Sequence, residues 1–172
     1  MKILVLGYSG AGKSTFAKKL HQHYNIPVIY LDTIHFKANW VEREDEDMAH
    51  DLRAFMSKND SWVIEGNYRR IVPERHELAD QIFIFKLSRL ACLYGIIKRR
   101  IKYRKTQRES SAIGCKEKID FSFFMWTILT GRTKKRRTFF KLIEEKRKDS
   151  VIVFKNRHQI NTYLKNIGIK NH

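Results

Sequence analysis

Cysteine is almost missing from this sequence: Cys92 and Cys115 are the only two among 172 residues. They show no metal-ligand spacing and no disulfide framework, which points to a reducing, cytoplasmic compartment. Long apolar runs are missing as well. The longest, around Gln81 to Leu87, is the size of a strand and far short of a membrane span, so no membrane partner is expected. The apolar stretch after Met1 is too short for a signal peptide, and no small-residue cleavage site follows it. Internal repeats and low-complexity tracts are absent, as are zinc-finger, RRM and helix-turn-helix signatures. His21 and His23 stand two apart on a predicted helix and face different ways, which excludes a metal pair.

Acidic residues are scarce, 18 against 35 Lys and Arg, for a net charge of +17. The surplus is uneven: residues 98–148 hold 18 basic and 5 acidic side chains (+13), and the rest 17 and 13 (+4). A polyanionic ligand is therefore expected at or near 98–148. With 42% apolar and 31% charged residues and a mean hydropathy of −0.50, the chain reads as one soluble domain with a real core.

Five segments read as strands: Lys2–Leu6, Val28–Leu31, Trp62–Ile64, Gln81–Phe85 and Val151–Phe154. Between them the period turns helical. Phe16, Leu20 and Tyr24 mark one helix, stopped at Asn25-Ile26-Pro27, and Met48, Leu52, Phe55 and Met56 mark another. A last helix opens on a capping box, Asn156 with Gln159, and buries Ile160, Tyr163, Leu164 and Ile167. Residues 90–148 carry no strand signal and read as two or three basic helices, broken by a Ser110–Gly114 linker. Phe121, Phe124, Met125 and Ile128 keep helical spacing there and read as core; Phe123 and Trp126 lie among them. Strands alternating with helices predict an open parallel α/β sheet.

Gly7-Tyr8-Ser9-Gly10-Ala11-Gly12-Lys13-Ser14 matches G-x-x-x-x-G-K-[ST] without a mismatch, directly after a strand and opening a helix. Its glycines let successive N–H groups turn towards a phosphate, and the positive end of the helix adds to that attraction. Gly7, Ser9, Gly10, Ala11, Gly12, Lys13, Ser14 and Thr15 are thus the candidate ATP-binding residues. Lys13 would reach the β- and γ-phosphates, and Ser14 would join the Mg²⁺ shell.

On Gly7–Thr15, Leu31-Asp32-Thr33-Ile34, Trp40, Trp62–Tyr68 and Ala79-Asp80-Gln81-Ile82, the chain resembles adenylate-kinase-like P-loop kinases, above all the DNA topology modulation (FlaR-like) proteins. The likeness is good over residues 1–90, follows by pattern in the last 25 and is loose between. It implies a three-layer P-loop NTPase fold, a five-stranded parallel sheet with helices on both faces and a helical lid segment near 90–148. It sets the third strand beside the first, so that Glu65 neighbours the phosphate loop as a second Mg²⁺ residue. Glu65-Gly66-Asn67-Tyr68-Arg69 keeps the carboxylate, glycine and arginine of the adenylate-kinase D-G-F-P-R motif and departs from it at Asn67 and Tyr68. Asp32-Thr33-Ile34-His35 is similar to the D-x-L-H stretch of gluconate kinases, where the Asp contacts a hydroxyl acceptor; the other reading of Asp32 is a cap for the next turn.

Residues 33–60, with Phe36, Trp40 and Trp62 nearby, would form the acceptor flap. Asp32, His35, Trp40, Tyr68 and Arg69 are the candidate acceptor residues, with Arg70 next in line. Arg100, Arg104 and Arg108 are spaced for one helix face, and Arg100 and Arg104 are the candidate lid arginines. Arg132-Thr133-Lys134-Lys135-Arg136-Arg137 looks surplus to phosphoryl transfer, either a solvated helix or a nucleic-acid phosphate site. The expectation is Mg·ATP-dependent phosphorylation of a small acceptor, a nucleotide first and a hydroxyl compound second, with Lys13, Asp32, Glu65, Arg100 and Arg104 as catalytic candidates. The rival is a nucleic-acid-associated ATP-binding protein linked to DNA topology, gripping through the basic helices.

Overall fold

In the computed structural model, which describes residues 1–104, 106, 108–115 and 130–169, the first apolar run becomes the centre of the molecule. β1 (Lys2–Gly7) pairs in parallel with β5 (Trp62–Glu65) on one side and β6 (Gln81–Phe85) on the other; β2 (Val28–Tyr30) and β7 (Val151–Phe154) complete the sheet in the order β2-β5-β1-β6-β7. Ile3, Leu4, Val5 and Leu6 are all buried, as a strand covered on both faces requires. All five predicted strands are present.

Residues two apart on a strand share a face, so Phe83 and Phe85 point the same way. There they meet Phe154 of β7, Phe16 of α1 (Lys13–Tyr24) and Tyr163 of the last described helix (Arg157–Asn166), with ring centroids 4.9–6.0 Å apart. Trp62 opens β5, as the strand reading of Trp62–Ile64 expects, and is fully buried there. Asn25 ends α1 at φ 52, and Gln159 N–H donates to Asn156 Oδ1 at 2.9 Å, as the stop and cap signals predict.

The second strand stops earlier than its apolar run suggests. Leu31–His35 forms a short helix, α2, with Thr33 Oγ1 donating to Tyr30 O at 2.7 Å, so Asp32 sits in a first helical turn rather than at a strand end. A hairpin of β3 (Phe36–Lys37) and β4 (Val41–Glu42) follows, then α3 (Asp45–Lys58), which buries Met48 and Leu52. After β5 come α4 (Arg75–Leu78), β6 and then α5 (Arg89–Lys102); α6 (Lys134–Lys146) precedes β7, and α7 (Arg157–Asn166) closes the described chain. The Ser110–Gly114 linker is non-helical, as expected, and partly packed: Ser110, Ser111 and Ala112 are buried, Ile113 is exposed, and Cys115 Sγ donates to Lys37 O at 3.2 Å in the hairpin. Residues 116–129, which include Phe121, Phe123, Phe124, Met125, Trp126 and Ile128, lie outside the described residues. Among the described residues no helix is long and apolar enough to cross a membrane.

Candidate active site

Parallel register sets the site. Val5 lies opposite Glu65 and Gly7 opposite Phe85, so β5 delivers its terminal carboxylate just below the loop that leaves β1. That loop needs its glycines. Gly7 and Gly10 hold φ of 135 and 74, and a Cβ on either would meet the backbone O of Phe85 at 2.5 Å or of Cys92 at 2.2 Å. Helix α1 has no acidic residue in its first turn and no side-chain cap, so its first amides are available to an anion. Lys13 Nζ donates to Tyr8 O at 3.1 Å and lies 3.6 Å from Glu65 Oε1, while Ser14 Oγ donates to Glu65 Oε2 at 3.0 Å. Ala11 is buried, Ser9 and Gly12 are half-buried, and Thr15 is exposed.

Glu65 is buried. Burial lifts its pKa above the usual glutamate value, Asp32 pushes the same way, and Lys13, the Ser14 hydroxyl and Arg108 pull it back. A hydroxyl and a carboxylate joined at 3.0 Å beside a lysine form a hard oxygen donor set, and Ser14 and Glu65 fit a magnesium ion.

Across the crevice, Tyr68 Oη donates to Asp32 Oδ1 at 2.8 Å. Burial, then the Asp32 charge, holds the Tyr68 hydroxyl well above the ordinary tyrosine range, so it stays a donor and Asp32 its acceptor. Asp32 therefore spends an oxygen on Tyr68 rather than on capping a turn. His35, buried, packs its ring 4.7 Å from that of Tyr68. Ser9, Lys13, Asp32, His35, Glu65, Tyr68 and Arg69 all line one cavity of about 500 Å³. Trp40 does not line it: its ring packs on Phe36 at 5.3 Å and its backbone N–H donates to Cys115 Sγ at 3.4 Å. Arg70 lines a separate groove of about 610 Å³ along α3, away from the phosphate loop.

Two expectations about the basic segment need correction. Arg100, Arg104 and Arg108 do not share a helix, because α5 ends at Lys102 and Tyr103 N–H closes its last turn on Arg99 O at 2.9 Å. Continuing would have stacked Arg104 on Arg100 within a run already dense in Lys and Arg. Arg100 and Arg104 are exposed and outside the cavity lining. The second basic cluster, by contrast, does not lie on a wholly solvated helix: Thr133, Lys135 and Arg136 line the cavity together with Phe139. Arg132 lies 4.0 Å over the Tyr8 ring and donates to Leu87 O at 2.7 Å. Their place depends on how α6 returns to the sheet, which no local pattern encodes.

Asn67 was also missed, although its departure from D-G-F-P-R was a signal. Its Oδ1 accepts Gly7 N–H at 3.0 Å and its Nδ2 donates to Gly7 O at 2.9 Å, a two-bond pairing with the first residue of the phosphate loop.

The sequence matches no protein-family model, and no curated protein matches it. Its structure is similar to the crystal structure of a gluconokinase from Sinorhizobium meliloti 1021, with a TM-score of 0.57 and 14% identity over 96% of this chain and 88% of that one. The likeness is one of fold, a three-layer α/β arrangement around a five-stranded parallel sheet.

Proposed function

We propose that this chain is a Mg·ATP-dependent phosphotransferase, a single P-loop kinase-like domain over residues 1–172, acting on a small anionic acceptor at a hydroxyl group. The observation that carries the reading is the Tyr68–Asp32 hydrogen bond of 2.8 Å in the cavity that also holds Lys13 and Glu65. An ionised phosphate acceptor has no proton to lose, whereas a hydroxyl acceptor needs a base within reach. The sequence alone ranks a nucleotide first; Asp32, held as an acceptor by a tyrosine that stays protonated, favours the hydroxyl compound.

The loop amides and Lys13 bind the triphosphate, and Ser14 and Glu65 hold the magnesium ion, which when bound offsets charge on the phosphates. Asp32 takes the acceptor's hydroxyl proton as that oxygen bonds to the γ-phosphorus. The bond from the γ-phosphorus to the β–γ bridging oxygen breaks, and ADP leaves. Arg69, Lys135 and Arg136 supply the positive charge for an anionic acceptor and the transferring group, the role expected of Arg100 and Arg104. Phe36, Tyr68 and Phe139 also line the cavity, which favours a nucleoside or nucleotide as the second reading.

The test is ATP consumption by the parent and Lys13→Ala with sugar acids, other polyols, nucleosides, nucleoside monophosphates and short oligonucleotides, products resolved by phosphorus NMR. Lys13-dependent transfer to one small hydroxyl compound, lost by about 10²–10⁴-fold in Asp32→Asn, is the expected result. ADP formed only in the presence of oligonucleotide, with no acceptor phosphorylated, would sink the kinase reading in favour of a nucleic-acid-associated ATPase.

A further inference from the structure

The chemistry just outlined makes no use of Arg75, yet no other cation in the described fold is so deeply placed. It is fully buried, and burial pulls its pKa down to about 10, with Glu74 only partly opposing. Its partners are backbone carbonyls: Nη2 donates to Asn67 O at 2.9 Å and Tyr68 O at 3.0 Å, and Nη1 to Val72 O at 3.2 Å. Residues 67–72 thus wrap around a guanidinium. The wrap is tight enough to hold Val72, a β-branched residue, at φ 45 in the left-handed region. A buried charge and a strained backbone both cost stability, and both persist where the surroundings need one fixed geometry.

What they fix is visible at the two residues whose carbonyls share Arg75 Nη2. Asn67 faces the nucleotide side, its carboxamide pairing with both backbone groups of Gly7. Tyr68 faces the acceptor side, its hydroxyl on Asp32. Arg75 holds the loop from behind and touches neither site.

From this juxtaposition we infer that Asn67 and Arg75 are positioning residues that hold Asp32 in register with the phosphate loop, so that the nucleotide and acceptor sites are built as one unit. The acceptor half of this inference rests on the phosphotransferase reading; the nucleotide half does not. A role confined to stability makes losses of ligand affinity follow losses of melting temperature. A role in register separates the two.

The experiment measures MgADP affinity by titration calorimetry and melting temperature in parallel for Asn67→Ala, Asn67→Asp, Arg75→Lys and the double variant Asn67→Ala/Arg75→Lys. Asn67→Ala loses both bonds to Gly7 and is expected to weaken MgADP about tenfold. Asn67→Asp is nearly isosteric and keeps an acceptor for Gly7 N–H, but it turns a second anionic oxygen on the Gly7 carbonyl. It is expected to melt closer to the parent than Asn67→Ala and yet to bind MgADP more weakly. Because Arg75 acts through Asn67, the double variant should bind MgADP about as Asn67→Ala does, with the two losses not adding. Parent-like MgADP affinity in Asn67→Asp, or strictly additive losses, overturns the inference. Where Arg75→Lys fails to fold, the order of the two Asn67 variants still decides. With an acceptor identified, Asn67→Ala should lower kcat about tenfold and leave the acceptor KM within about twofold; a raised KM at parental kcat overturns the acceptor half. A parent that binds MgADP but phosphorylates nothing defeats the phosphotransferase reading and leaves the MgADP comparison decisive.

Discussion

A carboxyl group beside a lysine is ordinarily ionised, but at Glu65 burial outweighs Lys13 and the Ser14 hydroxyl, and the pKa rises above the glutamate value of 4.5. A raised folded-state pKa means that the fold keeps this proton after the unfolded chain has released it. The stability linked to Glu65 is therefore full below 4.5 and is lost as pH climbs through the raised value. Glu65→Gln removes that loss. At pH 8 the ligand-free variant should melt above the parent, and scanning calorimetry should see the gap close towards pH 4.5. Magnesium needs the carboxylate, so parental affinity for MgADP should rise across the same window above 4.5 while Glu65→Gln stays weak and flat. Tyr68→Phe separates the acceptor side: it strips Asp32 of its partner and should slow transfer about tenfold, with MgADP affinity within twofold of the parent in titration calorimetry. The phosphate-loop residues were legible from spacing alone because the motif is contiguous. Burial of Glu65 and the partner of Asp32 were not, since each depends on a side chain brought from another part of the chain.

Helix α5 lies flush on the phosphate loop because a glycine faces a glycine: a Cβ on Gly95 would sit 2.1 Å from Gly10 O. Alanine favours a helix interior by about 1 kcal/mol over glycine, yet backbone cannot yield as a side-chain tip can, and overpacking costs about 1–3 kcal/mol. Gly95→Ala is therefore expected to lower the melting temperature and weaken MgADP, read by thermal melts and titration calorimetry. A melting temperature above the parent's would mean that helix propensity wins and α5 stands off the loop. At this scale the strands were legible, since runs such as Ile3–Leu6 are apolar on every residue and match a doubly covered sheet. The boundary at Leu31 was not, because an apolar residue serves the end of a strand and the start of a short helix equally well. The end of α5 falls in a polar, basic run, where apolar period marks no boundary.

The net charge of +17 acts on the molecule as a whole, and part of its concentration in 98–148, Lys135 and Arg136, reaches the cavity that also holds Lys13. Such a field draws anions in from a distance and is screened by salt. Stopped-flow association of a fluorescent ATP analogue should slow severalfold between about 50 and 500 mM salt, with dissociation changing less; equal changes in both rates would contradict steering. The charge was legible in composition, while its division between an exposed α5 end and the cavity-lining start of α6 required the packed chain. Sheet order has a consequence of another kind. The central strand β1 precedes both of its neighbours, which pair with it from about sixty and eighty residues further on. On the ribosome, β1 and the phosphate loop emerge with two bare edges, and the Phe85 backbone against which Gly7 and Tyr8 settle is made much later. Until then those edges stay unpaired, and a ligand of the phosphate loop can stabilise only chains already extended past Phe85.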